Sequence, residues 1–579
     1  TRALADPAAW PRDAAGRVAV WVFFADRGLD GPALSVALQR AEDGLSPRAR
    51  LRRQRGRWAE GRLVAAGDLP LAADHLRQAR ATGAQLRRQS CWLNAASFDA
   101  TPEQVARLAA LPCVRKLDLV ARLRRSPLPE PVWTPLPEAA PGRPDKAAEG
   151  AAAIDSALYG ASLGALAQIN VLPVHEEGFT GEGMLIGMLD TGFKTTHEAL
   201  AHIPVLARWD FLNDDPVVEN ELGDATNQHN HGTFTLSALA GYSAWELVGP
   251  AHAATFVLAK TEDVTSEVPI EEDYWVAGLE WLDTFGVDVV SSSLGYFGWY
   301  EFADLDGNTA VTTVAADLAA ARGLVVVTAA GNERATAWGH LIAPADADSA
   351  ITVGAVRLDG TVTAFSSPGP TADGRTKPDV CALGASVPVA SPSDDTAYGA
   401  ASGTSLSTPL AAGVAALVLQ RGPLLTPMQV REALAATASR AATPDNDFGW
   451  GILDAYAAVH WFGPVFAHAA LPDTVPQAAA HRVACRLTDR APLAPETLAL
   501  HWRTGGGSWQ ELPLASSGPD SFAADLPGQP TGTLVEYFLA AGDLAGIAAT
   551  EPAAGAVAPH AFLVLGTSTG VDDANRPGG

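Results

Sequence analysis

The sequence predicts an α/β protein built on a doubly wound parallel sheet, with a small α+β domain before it and an antiparallel β-sandwich after it. Residues 151–463 alternate helices with runs of Val, Ile and Leu, which are typical of parallel strands buried on both faces. Residues 126–150 hold seven prolines, which favours an extended linker. Short strands and turns at 464–566 favour the sandwich.

The first domain, residues 1–125, mixes strands with helices. Alternating apolar residues predict a strand at 17–25, and an Arg-rich helical stretch follows at about 33–63. Thr101 and Pro102 are typical of a helix start. The remaining predicted elements are a strand at 92–98, a helix from Thr101 to Leu111 and a strand at 114–120.

Runs of apolar residues also predict the strands of the central and C-terminal domains. The strands of the central domain are predicted at 184–190, 255–259, 287–293, 324–330 and 351–356. The clearest strands of the C-terminal domain are predicted at 481–488, 497–503 and 534–541. Residues 567–579 are polar and rich in Gly and Pro, which predicts a flexible tail. In a doubly wound sheet, functional loops follow the carboxyl ends of the strands.

Net charge excludes some classes of function and suggests an internal contact. The 579 residues carry a net charge of −25, which argues against a nucleic-acid binder, and no apolar run is long enough for a transmembrane helix. Residues 1–125 hold 22 Lys+Arg against 12 Asp+Glu, whereas residues 151–466 hold 11 against 38. Opposite charges of this size predict that the two parts dock on each other.

Cysteines and the first residues leave the compartment open. The four cysteines show neither CxxC pairs nor metal-ligand spacing. Cys91 and Cys113 lie close enough to form a disulfide in one small domain, and two free buried thiols are the alternative. The sequence from Thr1 lacks the apolar segment of a secretory signal. The chain is therefore either cytosolic or numbered from the point where a signal peptide has been removed.

Four polar residues stand at predicted strand ends or helix starts. Asp190 ends a strand in Leu-Asp-Thr-Gly, while His231 and Ser405 open helices in His-Gly-Thr and Gly-Thr-Ser. A serine nucleophile needs a base, histidine titrates near neutral pH, and a buried aspartate fixes the histidine tautomer. Asn332 ends a strand in Ala-Ala-Gly-Asn, where its amide can donate to an oxyanion. Each residue alone also suits a turn or a helix cap, but the order Asp, His, Ser favours catalysis.

These segments resemble those of the subtilases, the subtilisin-like serine proteases. The matching segments are Met188–Gly192, His231–Thr233, Ala329–Asn332 and Gly399–Pro409. The resemblance extends over essentially all of 160–460. It implies that Asp190, His231 and Ser405 form a catalytic triad and that Asn332 donates to the oxyanion.

The resemblance also implies where a substrate lies. Ser293, Leu294 and Gly295 are expected to form a strand that pairs with the backbone of a peptide substrate. Ala330 and Gly331, just before the oxyanion residue, are expected to line the same site.

Some residues could compete with or depart from this assignment. His197 and His229 are rival bases, and both are interpreted as structural or surface residues. Ser407 and Leu410 depart from the family pattern after the nucleophile. These changes are expected to alter helix packing and to leave the nucleophile unchanged.

Two acidic features are left open. Residues 262–273 are acidic where a short polar loop is common in the family, and they are interpreted as a solvated loop or as a rim that favours basic residues at non-primed substrate positions. Structural calcium is frequent in the family, and Asp210, Asp214 and Asp215 offer oxygen ligands. No ligand set is assigned, so the metal is unknown, and no cofactor is expected for the chemistry.

The N-terminal region resembles a subtilase propeptide in Trp92–Ala95, Thr101–Val105 and Leu111–Val114. The resemblance therefore implies a secreted or cell-surface serine endopeptidase, made as a zymogen, that cleaves proteins or peptides through an acyl-enzyme. The propeptide is expected to act as an intramolecular inhibitor until cleavage near 122–150. The alternatives are a catalytically silent binding protein with this fold, against which the intact triad argues, and an esterase or peptide ligase with the same triad.

Overall fold

The computed structural model describes residues 10, 12–13, 15–56, 62–120, 133–136, 156–265, 270–476, 480–552 and 554–565. Contacts divide the chain into two compact units, Thr1–Tyr456 and Ala457–Gly579. The first unit contains both the N-terminal domain and the parallel sheet. The finer domain limits stay predictions, and those at 125, 150 and 566 lie outside the described residues.

The N-terminal domain is a small α+β fold, as predicted. Its elements are β1 (Val18–Phe24), α1 (Gly31–Asp43), α2 (Pro47–Arg53), α3 (Ala73–Ala81), β2 (Gln85–Ser90), β3 (Ala95–Ala100), α4 (Pro102–Ala109) and β4 (Val114–Val120). The strands form an antiparallel sheet in the order β2-β3-β1-β4. Thr101 caps α4 by accepting the backbone N–H of Gln104, whose side chain bonds back to Thr101.

Strand β1 contributes to two hydrophobic cores. All seven of its residues are buried, and successive side chains point to opposite faces. Val20 and Val22 pack with Phe98 in the core of the N-terminal domain. Trp21 and Phe23 belong instead to the core shared with the central domain. The N-terminal domain is thus joined to the central domain by a continuous apolar contact.

Three N-terminal predictions differ from the structure. The helical stretch predicted at 33–63 is two helices, because the chain leaves the helix at Gly44 and starts again at Pro47; residues 57–61 lie outside the described part. The strand predicted at 92–98 begins only at Ala95, since a turn with Asn94 at a φ of 50° precedes it. Helix α3 and strand β2 were not predicted, and β2 is polar, mostly half-buried and at the edge of the sheet.

A seven-stranded parallel sheet forms the centre of the first unit, as predicted. Its strands are β6 (Leu185–Asp190), β7 (Val205–Asp210), β10 (Thr255–Lys260), β11 (Val289–Ser292), β12 (Val325–Ala329), β13 (Ile351–Val356) and β14 (Val380–Leu383). The shorter strands are β5 (Thr134–Pro135), β8 (Tyr242–Ser243), β9 (Leu247–Val248), β15 (Val387–Ala390) and β16 (Tyr398–Ala401). The helices are α5 (Leu163–Gln168), α6 (Leu172–Glu176), α7 (Asn230–Ala240), α8 (Ile270–Phe285), α9 (Val311–Ala321), α10 (Thr404–Arg421), α11 (Pro427–Thr437) and α12 (Ala455–Val459).

The strand order of this sheet is β14-β13-β12-β11-β6-β10-β7. The two strands that were not predicted, β7 and β14, lie at its edges. Residues of β7 alternate in exposure and β14 has only four residues, so neither shows a long buried apolar run. Strands β10 and β11 come later in the chain and lie on opposite sides of β6. At such a point of a parallel sheet, a crevice opens at the carboxyl ends of the neighbouring strands.

The C-terminal unit contains two sheets of mainly antiparallel strands, as the predicted sandwich requires. Its strands are β17 (Val465–His468), β18 (Thr474–Pro476), β19 (Ala480–Thr488), β20 (Ala499–Thr504), β21 (Gln510–Pro513), β22 (Ala515–Gly518), β23 (Ser521–Pro527), β24 (Leu534–Gly542), β25 (Ala548–Glu551) and β26 (His560–Leu565). One sheet has the order β17-β19-β23-β22; the other has β18-β26-β24-β20-β21, with β25 beside β24. The three predicted strands correspond to β19, β20 and β24, and Leu500, Tyr537 and Phe562 lie in the shared core.

Two further findings concern the cysteines and membrane-spanning helices. All four cysteines are free thiols, so Cys91 and Cys113 do not form a disulfide. Among the described residues, no helix has both the length and the apolar character needed to cross a membrane.

Candidate active site

Asp190 is the last residue of β6 and is completely buried. Its Oδ1 accepts hydrogen bonds from Nδ1 of His231 at 2.6 Å and from the backbone N–H of Thr191 at 2.7 Å. Its Oδ2 accepts the hydroxyl of Thr235 at 2.9 Å. A buried carboxylate needs such partners to offset its lost hydration. Since an ionised carboxylate can only accept, Nδ1 is the protonated nitrogen of His231.

Helix α7 supplies both side chains that hold Asp190. His231 lies in its first turn, and Thr235 follows four residues later on the same face of the helix. The helix start comes very close to the turn after β6. A Cβ at Gly232 would lie 2.0 Å from the carbonyl oxygen of Gly192, so only glycine fits there.

Ser405 lies in the first turn of α10, a helix that is buried through most of its length. Its Oγ lies 3.4 Å from the carbonyl oxygen of Ser293, which follows β11. The sequence placed Pro409 near the first turn, but it is the sixth helical residue. Without an N–H, Pro409 cannot donate to the carbonyl of Ser405 four residues earlier. The hydroxyl of Ser293 donates to that carbonyl instead, at 2.8 Å.

Asn332 follows β12 and is held by the residue before Ser405. Its Oδ1 accepts the backbone N–H of Thr404 at 2.9 Å and the Thr404 hydroxyl at 3.0 Å. These contacts orient the amide and leave Nδ2 as its donor. Gly331 has a φ of 106°, and a Cβ there would lie 2.9 Å from Oγ of Ser367. Glycine is therefore required where the chain turns from β12 into Asn332.

The residues predicted to bind substrate follow two adjacent strands. Ser293, Leu294 and Gly295 come directly after β11, and Ala330 and Gly331 come directly after β12. Strand β11 lies between β6 and β12, so these backbones share the crevice that contains Asp190. Their role in binding substrate stays a prediction.

The two rival histidines are tied to the backbone. Nε2 of His197 lies 2.9 Å from the carbonyl oxygen of Ala397, and its Nδ1 accepts an N–H at 3.1 Å. Nδ1 of His229 accepts the N–H of Asn220 at 3.0 Å. Burial lowers the pKa of both rings. The structural interpretation of these histidines therefore agrees with their contacts.

Within the acidic stretch 262–273, residues 262–265 form a partly accessible loop and residues 266–269 lie outside the described part, whereas the part in α8 departs from the expected solvated loop. Glu271, Glu272 and Asp273 are buried in the first turn of α8, where the helix dipole favours negative charge. Asp273 pairs with Arg87 of the N-terminal domain at 3.1 Å. Glu272 accepts the hydroxyl of Tyr300 at 2.8 Å, and burial raises its pKa to about 8. An acidic rim made by these three residues is therefore wrong.

Among the residues that the structure describes, the last residue of β7 and two residues of the loop after it form a group of carboxylates of the kind that calcium binds. Oxygens of Asp210, Asp215 and Glu221 lie within 4.8 Å of one another. Hard oxygen ligands of this kind suit calcium. Asp214, which the sequence suggested as a ligand, instead pairs with Arg88 of the N-terminal domain at 3.0 Å.

The contacts of Asp210 do not fit a metal ion. Its Oδ2 lies 2.7 Å from the buried ammonium of Lys260, which also pairs with Asp224 at 2.7 Å. Its Oδ1 accepts the backbone N–H groups of Leu212 and Asn213. A calcium ion at Asp210 would have to displace the lysine. No step of the chemistry is therefore assigned to a metal.

A short segment between the two domains lies beside the strand that leads to Ser405. Strand β5 pairs antiparallel with β16, with Thr134 opposite Ala400 and Pro135 opposite Gly399. A Cβ at Gly399 would lie 2.1 Å from the indole nitrogen of Trp133, so the indole packs directly on this glycine. The antiparallel register directs the Trp133 end of the segment toward Ser405.

Comparison with known proteins identifies the family. A family model described as the subtilase family matches residues 181–451, and one described as the peptidase S8 propeptide domain of Bacteroidota matches residues 19–131. Subtilisin E of Bacillus subtilis is 32% identical over 296 residues, which cover 51% of this chain and 70% of subtilisin E. This chain belongs to the subtilase family.

Two further relatives agree with this. Subtilisin of Bacillus pumilus is 31% identical over 294 residues, which cover 51% of this subtilase and 97% of that protein. The crystal structure of fervidolysin from Fervidobacterium pennivorans, described as a keratinolytic enzyme related to subtilisin, aligns with a TM-score of 0.53 at 19% identity. The alignment covers 95% of this subtilase and 78% of fervidolysin, and it supports the fold. The chain is thus a subtilisin-like serine protease with a propeptide domain.

Sequence reasoning missed three contacts that support the site. Thr235 could have been found, because it lies one helical turn after His231. Thr404 was seen only as part of the serine motif, although its contacts orient Asn332. The donation from Ser293 to Ser405 joins residues 112 positions apart and has no local signal.

We expect Thr235→Val to lower kcat/KM on a peptide substrate by about 10- to 100-fold, because it removes a hydrogen bond to the ionised carboxylate of Asp190. The shape of the side chain is nearly kept. Thr408→Val is the matched control, since that hydroxyl donates to a backbone carbonyl in its own helix. Steady-state kinetics would measure both. Equal losses in the two variants would show that Thr235 has no special role at Asp190.

Proposed function

We propose that this subtilase hydrolyses peptide bonds with Ser405 as nucleophile, His231 as base and then acid, and Asp190 as the orienting carboxylate. The bond of 2.6 Å between the buried Asp190 and Nδ1 of His231 carries the proposal, because it fixes the tautomer in which Nδ1 holds the proton and Nε2 is the basic nitrogen. His231 accepts the Ser405 proton as Oγ attacks the carbonyl carbon. It then returns that proton to the leaving amine, and water resolves the acyl-enzyme by the reverse use of His231.

Two donors would stabilise the oxyanion of the tetrahedral intermediate. The backbone N–H of Ser405 belongs to the first turn of α10, where the helix dipole favours negative charge. Nδ2 of Asn332 is the second donor, since Oδ1 is occupied by Thr404. Both donors are positioned before substrate arrives, which is the arrangement that lowers the barrier most.

The substrate is proposed to bind as an extended strand. Backbone groups of Ser293, Leu294 and Gly295 would pair with it on one side of the scissile bond, with Ala330 and Gly331 beside the carbonyl. Main-chain pairing gives affinity for many sequences. Proteins and peptides are therefore the proposed substrates.

The enzyme is proposed to be a secreted zymogen that processes itself. The N-terminal domain would act as an intramolecular inhibitor, and cleavage of the segment after β4 would separate it from the protease. The apolar contact of Trp21 and Phe23 with the central domain supports this role, because it would hold the inhibitor in place. The family relationship supports secretion.

A comparison of the wild-type chain with Ser405→Ala tests the proposal. We expect the wild type to hydrolyse casein and to react with a fluorophosphonate probe, whereas Ser405→Ala should do neither, because the alanine has no nucleophile. The variant should also stay full-length in the expression host. An unlabelled wild type after removal of the N-terminal domain would refute the assignment, and equal processing of both chains would point to another protease.

The segment on β16 predicts where processing occurs. Because Trp133 is fixed on Gly399 and its strand is directed toward Ser405, we expect the bond cleaved to precede Trp133. β4, which ends at Val120, belongs to the N-terminal sheet, so the bond should follow it. Mass spectrometry of the mature chain should find an amino terminus between residues 121 and 133. A first terminus beyond Leu136 would contradict this placement.

Asn332→Asp tests the oxyanion donor. The aspartate keeps the acceptor for Thr404 but replaces the donor Nδ2 with an oxygen, so kcat should fall by about 100- to 1000-fold with little change in KM. Asn220→Asp, in the loop before α7, is the control for the charge change. Hydrolysis of a chromogenic peptide measures both constants. If kcat of Asn332→Asp falls by less than fivefold, Asn332 is not the oxyanion donor of the proposed site.

A further inference from the structure

Among the described residues, the N-terminal domain contacts the protease at two places, which Arg322 links because it pairs with Asp68, lies over the ring of Trp92 and accepts a hydrogen bond from Arg52. The first is the sheet face and the turn before β3, which pack on α8 and α9. There Glu280 accepts the hydroxyl of Ser90 and the N–H groups of Cys91 and Trp92, and burial raises its pKa to about 7. The second place is α2, which lies in the segment between β1 and α3. This second contact is not explained by inhibition of the cleft.

Helix α2 and the residues after it carry arginines that are buried against carboxylates of the central domain. Arg52 and Arg53 both pair with Asp283 near the end of α8, the latter at 2.5 Å. Arg48 and Arg55 both pair with Asp288, Arg55 at 2.9 Å. The residues Arg52, Arg53 and Arg55 are between 0% and 3% exposed, so these pairs are removed from water.

The same arginines reach backbone carbonyls where three helices end. Arg52 donates to the carbonyl of Arg322, the C-cap residue of α9, at 3.0 Å and to that of Asp283 at 3.1 Å. Arg55 donates to the carbonyl of Pro423, just after α10, at 2.6 Å. Arg48 lies 3.3 Å from the carbonyl of Gly286, just after α8. The C-terminal ends of helices leave carbonyls unpaired and carry partial negative charge, which favours cations.

The surface that receives α2 is also shaped for it. Gly286 and Gly323 have φ values of 78° and 89°. A Cβ at Gly286 would lie 2.7 Å from the backbone nitrogen of Ala49, and one at Gly323 would lie 2.4 Å from the carbonyl oxygen of Arg52. Larger residues would therefore push α2 away. The carboxylates, the carbonyls at the helix ends and the two glycines of the central domain therefore all match α2 at this one place.

We propose that the helix ends around Asp283 and Asp288 form a receptor for arginine side chains, and that α2 is a second anchor that keeps the N-terminal domain on the protease after the linker is cut. The inference rests on the inhibitory role proposed above. Once α2 leaves, Asp283 and Asp288 lose their arginine partners, although Asp288 keeps the N–H of Leu185, and the carbonyls must be hydrated. Release of the domain is therefore controlled by opening of this anchor as well as by separation of the apolar face.

The test uses full-length chains that carry Ser405→Ala, so that no self-cleavage interferes. Hydrogen exchange followed by mass spectrometry would compare Arg52→Gln with the unmodified anchor. We expect exchange of α2 and of the end of α8 to become about 100-fold faster or more, because one partner of a buried pair is lost. Exchange of β2 and β3, at the first contact, should stay unchanged.

Arg50→Gln is the matched control, since Arg50 lies on the same helix but bonds to Glu42 within the N-terminal domain. If Arg52→Gln prevents folding, Arg48→Gln replaces it, because that side chain is 38% exposed and its loss should be tolerated. If Arg48→Gln speeds hydrogen exchange of α2 roughly tenfold and leaves exchange elsewhere unchanged, the anchor is supported. Exchange equal to that of Arg50→Gln would overturn it.

The same substitutions in the active chain give a second readout. After self-cleavage, gel filtration should show the N-terminal fragment leaving the Arg52→Gln enzyme sooner, with an earlier onset of casein hydrolysis than in Arg50→Gln. Equal retention of the fragment in the two variants would overturn the anchor. A wild type without activity would instead contradict the proposed function, and the exchange experiment would still decide about the anchor.

Discussion

The hydrogen bond from the Ser293 hydroxyl to the Ser405 carbonyl joins the helix that carries the proposed nucleophile to the strand expected to bind substrate. A proline inside a helix leaves one carbonyl without its usual donor and costs about 3 kcal/mol or more unless the loss is compensated. Here Pro409 leaves that carbonyl at Ser405, and Ser293 satisfies it at 2.8 Å. The geometry between nucleophile and substrate strand is therefore fixed by a contact that depends on the proline.

The remaining parts of the site follow from strand order. Asp190, Ser293 and Asn332 each come at or just after the carboxyl end of a strand, and the three strands β6, β11 and β12 are neighbours in the sheet. Their spacing is then set by the separation of adjacent strands, about 4.8 Å each. Helices α7 and α10 need only begin at this edge to bring His231 and Ser405 to it. The fold thus positions the side chains mainly through elements that are buried and difficult to move.

The sequence predicted an element correctly when the pattern lay within that element, and it failed where the structure depends on partners distant in sequence. Val289–Ser292 and Val325–Ala329 are short runs buried on both faces, and their apolar composition was sufficient to place them. Strand β2 was missed because its arginines point to partners such as Asp273 and Asp214, which no periodicity within the strand reveals. The acids at the start of α8 were assigned to a loop for the same reason. Their burial depends on Tyr300 and Arg87, which are distant in sequence.

The charge asymmetry of the sequence has a more specific meaning in the structure. It predicted attraction between a basic domain and an acidic one, and the pairs around Asp283 and Asp288 are desolvated contacts, which salt screens little. These pairs lie at the C-terminal ends of α8 and α9, and Arg55 reaches the end of α10, whose opposite end carries Ser405. Helix-terminal electrostatics fade within about one turn. The proposed anchor is thus too far along α10 to alter Ser405 directly, so we expect it to affect how long the N-terminal domain stays bound and to leave the chemistry of the released enzyme unchanged.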